Sequence, residues 1–233
     1  MTDAHCHVSC GDPSVREFLI GRDFFGVHPW DADELGGEDL LRKTEDVVSR
    51  LSSSVLGPSA LPGVGEIGLD RLRTKTVSPQ MREVFVAQLK LAFDFGCPVV
   101  LHGAKCWGQV VGEIKNLELR IKNDGRSNNI PLLFHGFSRS DGLIPDIVRL
   151  NGYISVGPAV LNDHAVNYRE LVKKIPTDRL LVETDRTPEN AASCPSVREV
   201  LAKTAELRGL SAEELEAITD ANSTAFVGGA RVT

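Results

Sequence analysis

Pro98-Val99-Val100-Leu101-His102 is a short apolar run closed by a histidine, and its reading decides the fold. The run is too short for a helix and does not alternate polar with apolar residues. It fits a strand buried on both faces, as in a parallel sheet. Leu180-Leu181-Val182, running into Glu183-Thr184-Asp185, repeats the pattern. Similar runs cover residues 1–7, 24–30, 63–70, 131–135 and 153–157.

Helical patterns fall between the runs. Residues 80–95 place Val84, Phe85, Gln88, Leu89, Leu91 and Ala92 on a mostly apolar stripe, with Pro79 at its start and Gly96 at its end. Residues 144–150 predict a short helix closed by Asn151-Gly152, and residues 196–208 predict one ending at Gly209. Ser211-Ala212-Glu213-Glu214 reads as a capping box that opens a last helix. Alternation of strand and helix predicts a TIM-type (β/α) barrel, with a doubly wound open sheet as the alternative. Residues 51–62 and 122–129 read as loops too short to link domains, so one domain over residues 1–233 is expected.

Composition narrows the classes of function. A formal net charge of -6 argues against wrapping long nucleic acid by charge alone, though a local basic patch over a short strand stays open. The opening Met1-Thr2-Asp3-Ala4-His5-Cys6-His7 has no basic and apolar leader pattern, and no apolar run approaches the ~18 residues that span a bilayer. A cytoplasmic or otherwise intracellular protein with no membrane partner is expected. Five cysteines, at 6, 10, 97, 106 and 194, are odd in number and lack CxxC pairs, which suits reduced thiols.

The strand ends carry the chemistry. In a parallel barrel the functional face lies at the C-terminal ends of the strands. The first run ends in His5-Cys6-His7, and residues two apart on a strand face the same way. Both imidazoles can therefore face the barrel mouth while Cys6 points elsewhere. Later runs supply Glu66, His102, His135 and Asp185. Taken singly, each has an ordinary reading: His-x-His is common by chance, a lone histidine is a core or rim residue, and Glu183 or Asp185 can cap a helix. Taken together, six nitrogen and oxygen ligands at successive strand ends exceed the three or four that one ion takes, which suggests two ions sharing a carboxylate. Ligation without thiolates suits Zn, Mn, Co or Fe, and Mg less well.

His5-Cys6-His7, Gly26-Val27-His28-Pro29-Trp30, Gly65-Glu66-Ile67-Gly68-Leu69-Asp70, Leu101-His102, Phe134-His135-Gly136-Phe137-Ser138 and Val182-Glu183-Thr184-Asp185 resemble, in order, the signatures of the TatD-related hydrolases. Asn222 and Phe226 resemble that family's C-terminal Asn-x-x-x-Phe. The resemblance implies a TIM-barrel branch of the amidohydrolases and a metal-dependent deoxyribonuclease. It implies that His5, His7 and Asp185 hold one ion, that His102 and His135 hold the second, and that Glu66 bridges them. His28 would contact the scissile phosphate, and Asp185 would orient the metal-activated water or take its proton. The catalytic residues expected on this basis are Asp185, Glu66 and His28. The expected cofactors are two divalent cations, Mg, Mn or Zn, and the expected substrate is short or single-stranded DNA.

The chain also departs from the family. Only residues 8–25 separate His-x-His from Gly-Val-His-Pro, so one βα repeat is expected to be shortened or missing. Ala104, followed by Lys105, stands where the family often has arginine, and Arg186-Thr187-Pro188 replaces its Ser-Pro. Trp30 and Trp107 are candidates to stack on a base, or to pack at a loop base. Asp70 is a candidate partner orienting a ligand, or a helix cap. The readings that compete with a deoxyribonuclease are a hydrolase of a small amide, lactone or phosphoester, and a metal-binding scaffold with little catalysis.

Overall fold

The computed structural model describes residues 1–52, 63–73, 75–123 and 129–228. Among these residues are eight strands: β1 (Thr2–Cys6), β2 (Arg16–Leu19), β3 (Phe24–Phe25), β4 (Gly63–Asp70), β5 (Val99–Ala104), β6 (Leu132–Phe134), β7 (Gly152–Val156) and β8 (Leu180–Val182). Every pairing is parallel. β1 pairs with β2, and β3 to β8 follow one another in chain order. A doubly wound sheet reverses its strand order at a switch point. Here no reversal occurs, and isolated contacts join the two groups. Ile20 bridges to Phe24 between β2 and β3. Past the end of β8, the Asp185 N–H donates to the His5 carbonyl of β1 at 3.0 Å.

Side chains from nearly every strand meet inside this ring. Ala4, Phe18, Phe24, Val100, Leu133, Tyr153 and Leu181 form one buried cluster with Phe226. Seven of the eight strands thus contribute to one interior layer. The eighth, β4, offers Gly65 beside it, where a Cβ would lie 2.8 Å from the Cβ of Val100. A second and larger cluster lies between the sheet and the helices, and includes Ile67, Phe85, Leu101, Val110, Ile154 and Val200.

The helices are α1 (Pro29–Glu34), α2 (Gly37–Ser52), α3 (Pro79–Phe95), α4 (Trp107–Asn123), α5 (Ile144–Arg149), α6 (Val166–Lys174), α7 (Val197–Arg208) and α8 (Ala212–Gly228). α3 begins where the Ser78 side chain accepts the Met81 N–H, and it ends on left-handed Gly96. Capping boxes open α7, through Ser196 and Glu199, and α8, through Ser211 and Glu214.

Two sequence expectations change, and the shortened N-terminal repeat is as expected. The run at residues 24–30 is a strand only at Phe24–Phe25. Pro29 opens α1 instead, since its ring presets a helical φ and its missing N–H costs nothing at that position. Leu51 and Ser52 finish α2, and Lys122 and Asn123 finish α4. The rest of those expected loops, residues 53–62 and 124–128, lies outside the described residues. In the shortened N-terminal region the strand survives as β2, while no helix follows β1 or β2. Instead, the loop into β2 is pinned to it, because Glu17 accepts the Cys10 N–H and the Ser9 hydroxyl, both at 2.6 Å.

Phe226 packs against Phe18, Phe24 and Tyr153, with ring centroids 5.7–6.1 Å apart. Phe226→Ala should cost about 3–5 kcal/mol, read as a lower urea midpoint with an unchanged slope. A loss under about 1 kcal/mol would show that α8 does not close the interior.

Candidate metal centre

The Glu66 carboxylate lies at the middle of the site, 4% exposed. Its Oε1 is 2.6 Å from His102 Nδ1, 2.6 Å from His135 Nε2 and 3.6 Å from His28 Nε2. Its Oε2 is 3.6 Å from His5 Nε2 and 3.5 Å from His7 Nε2. Those two imidazoles lie 3.5 and 3.6 Å from Asp185 Oδ1. All six ligand candidates read from the sequence therefore converge, as does His28. Three overlapping triads have their ligand atoms within 4.8 Å of one another: His5–Glu66–His135, His5–His7–Asp185 and His28–Glu66–His102.

These residues fit a divalent cation. His5 is fully buried, and neither of its ring nitrogens has a hydrogen-bond partner; His135 Nδ1 is also orphaned. Buried polar atoms without partners are rare and costly, and a cation between Glu66 and Asp185 would satisfy His5 Nε2. The donor set of imidazole and carboxylate is that of Zn or Mn sites.

Electrostatics point the same way. Burial would raise the Glu66 carboxyl, but His135, with hydrogen bonds from His102, His135 and His28, holds it well below the usual range. Burial works against the charged form of His135 too, yet Glu66 and Glu183 push its pKa well above the ordinary histidine value. At Asp185 burial is opposed by His5 and His135, which bring the carboxyl down to about 2. The Asp185 backbone is left-handed, with φ of 49°. That conformation is strained for a residue other than glycine and is found disproportionately at functional sites.

Surrounding residues set the orientation of these groups. Asp70 Oδ2 is 3.0 Å from His102 Nε2 and accepts the Trp30 indole N–H at 2.9 Å. With its Nε2 proton directed at Asp70, His102 turns Nδ1 toward Glu66. Asp70 thus pairs with a ligand candidate and also caps the following turn through the Leu72 and Arg73 N–H groups. Glu183 accepts the Gly136 N–H at 2.7 Å and the Ser155 hydroxyl, with one oxygen 3.8 Å from His135 Nδ1. His28 caps α1, its Nδ1 accepting the Trp30 N–H at 3.2 Å. That bond leaves the proton of the neutral ring on Nε2, which faces the site as a donor.

Sequence reasoning gave no role to three supporting residues. Gln88 accepts the Val27 N–H at 2.6 Å and donates to the Val27 carbonyl at 3.1 Å, fixing the backbone just before His28. The one clue was an amide on an otherwise apolar helical stripe. Asp3 accepts the Thr184 N–H at 3.0 Å and its hydroxyl at 2.6 Å, tying β1 to the segment that carries Asp185. Asn190 donates to the Asp185 carbonyl at 3.1 Å. The two tryptophans part company: Trp107 is a core residue packed on Phe134 and Phe137, whereas Trp30 is 42% exposed beneath the Arg73 guanidinium. His164 is exposed and away from the centre, and Cys6 points from it, its thiol toward the Phe18 carbonyl at 3.8 Å.

Two clefts, of about 660 and 730 Å³, open beside the centre and share Gly136, Ser138, Arg139 and Asp185 in their walls. A parallel α/β ring that turns four histidines and two carboxylates into one mouth defines a metal-dependent hydrolase. The chain belongs to the TatD-related DNase family, whose model matches residues 21–228. His5 and His7 precede that matched stretch.

The chain is 31% identical over 216 residues to the uncharacterized metal-dependent hydrolase YabD of Bacillus subtilis, covering 90% of this chain and 78% of that one. It is 26% identical over 211 residues to the 3'-5' ssDNA/RNA exonuclease TatD of Cronobacter sakazakii, covering 85% and 73%. Among solved structures, the TatD homologue YJJV of Escherichia coli K12 superposes with a TM-score of 0.71 at 22% identity, covering 97% of both chains. That likeness concerns the fold. No helix among the described residues is long and apolar enough to cross a membrane.

Gln88→Leu should cost about 1–3 kcal/mol, because both polar groups of Val27 lose their partners. Gln88→Glu should cost at least as much, because it sets an uncompensated carboxylate at a buried position against the Val27 carbonyl. Thermal unfolding of the two variants checks both losses, and unchanged stability in either would contradict the clamp. Asp3→Ala should likewise cost about 1–3 kcal/mol, with Asp3→Asn retaining most of the stability.

Proposed function

We propose that the chain is a two-metal phosphodiesterase that cuts short or single-stranded DNA. The observation that carries the reading is the division of the Glu66 carboxylate, one oxygen toward His5 and His7 and the other toward His102 and His135. His5, His7 and Asp185 would hold one ion, His102 and His135 the other, with Glu66 between them. Several relatives are named as 3'-5' ssDNA/RNA exonucleases, which supports nucleic acid as substrate. Divalent cations at such a centre lower the pKa of water and neutralise charge on phosphoryl oxygens.

The chain's own residues have separable tasks. Asp185 is a carboxylate at neutral pH and sits at the mouth rather than in the core. It accepts a hydrogen bond from the attacking water and takes its proton at Oδ2, leaving Oδ1 toward His5 and His7, as the new P–O bond forms and the P–O bond to the leaving sugar oxygen breaks, that oxygen departing with a proton from solvent. His28 donates from Nε2 to a phosphate oxygen. Asp70 holds the ring of His102, so the direction of that side chain is set before substrate arrives.

Hydrolysis of an end-labelled single-stranded DNA should require Mg, Mn or Zn and stop with chelator. Asp185→Ala should lower kcat by about 10²–10⁴-fold. Cleavage that survives both chelation and Asp185→Ala would overturn this mechanism. Failure of the folded, metal-loaded protein to cut DNA, with turnover of an amide or lactone, would replace the substrate. His28→Asn should lower kcat/KM about 10–100-fold without loss of bound metal; a fall in metal content would make His28 a ligand instead.

A further inference from the structure

The two clefts beside the centre differ in charge. The larger is walled by Arg71, Lys105 and Arg139, and Asp185 is the one carboxylate among its described lining residues. The smaller keeps only Arg139 and sets it against Glu183 and Asp185, beside neutral Pro158, Ala159 and Tyr168. This concentration of cations stands out in a chain of net charge -6.

Placement ties the three cations to the centre. Arg71 directly follows Asp70 at the end of β4. Lys105 directly follows β5, which carries His102, and Arg139 lies in the loop after His135. Lys105 and Arg139 are exposed and form no ion pair among the described residues. Both hold left-handed backbones, with φ of 56° and 58°. The first turn of α4 lines the same wall at Trp107 and Gly108, and a Cβ at Gly108 would meet nothing within 4 Å. A concave wall of unpaired cations beside a helix N-terminus concentrates positive potential. Arginine forks match phosphate oxygens in pairs.

We propose that Arg71, Lys105 and Arg139 form a subsite for the backbone phosphates of a single strand next to the bond cut at the metal centre. The proposal rests on the nuclease reading and adds to it the side on which the strand lies. The cations touch neighbouring phosphates rather than the reacting one, so they govern capture of a strand more than the chemical step. A small diester, with no neighbouring phosphate, has little use for them.

The test compares the full-length wild type with Lys105→Ala/Arg139→Ala. Lys105→Gly is added because glycine relieves a left-handed backbone and cannot fail through strain. Binding of a fluorescent single-stranded octamer is read by anisotropy in EDTA across a salt series. Hydrolysis of the octamer and of bis(p-nitrophenyl) phosphate is read with metal. The double variant should bind the octamer about tenfold more weakly, and the slope of log affinity against log salt should be about 1.4 shallower. Its kcat/KM should fall about tenfold more on the octamer than on the small diester, mostly through KM. Lys105→Gly should unfold no earlier than wild type and still weaken binding. An unchanged salt slope, or equal losses on both substrates, overturns the subsite while leaving the nuclease reading standing. A wild type that turns over the small diester but neither binds nor cuts the octamer overturns the nuclease reading, and the subsite with it.

Discussion

A carboxylate taken out of water is costly unless positive charge or hydrogen-bond donors replace the lost hydration. Glu66 faces that constraint inside the mouth of the ring, and five imidazoles from β1, the segment after β3, β5 and the end of β6 surround it. No single element supplies enough compensation. The strands must be in the correct order and register before the burial of Glu66 is tolerable, so fold and site are coupled through this one side chain.

The surrounding structure meets that constraint by fixing directions. Asp70 selects which nitrogen His102 offers, and Gln88 fixes the backbone ahead of His28. Asp3 braces the junction at which the ring returns to β1, close to His5, His7 and Asp185. The N-terminal shortening falls on the same stretch. There the chain keeps strand β2, which fills the interior with Phe18, and dispenses with helices that would only cover the outside. Loss of outer cover costs some buried area, whereas loss of a strand would open the ring.

Much of this was legible because the strands are apolar on both faces and end abruptly in ligand-type side chains. The run from Pro98 to His102 and the Glu183-Thr184-Asp185 terminus are both of this kind; they and the other runs yield the six candidate ligands, of which Glu66 alone lies mid-strand, within β4. Capping chemistry located α7, and the start of α8, to within a residue. The 24–30 run misled because Phe24 to Val27 is apolar throughout, and only Pro29 marks the change to helix. α2, α4 and α6 went unread. The amides and carboxylates that act through long-range partners were also hidden: Gln88 lies 61 residues from Val27 and Asp3 lies 181 from Thr184. Local pattern carries no information about such pairs.

If Glu66 joins two cation positions, calorimetric titration of metal-free protein with Mn or Zn, alongside elemental analysis after dialysis, gives two equivalents per chain in the wild type. In Glu66→Gln at most one is expected, bound on the order of 10–100-fold more weakly. Equal stoichiometry and affinity in the two proteins, or a single equivalent in both, would contradict that role of Glu66.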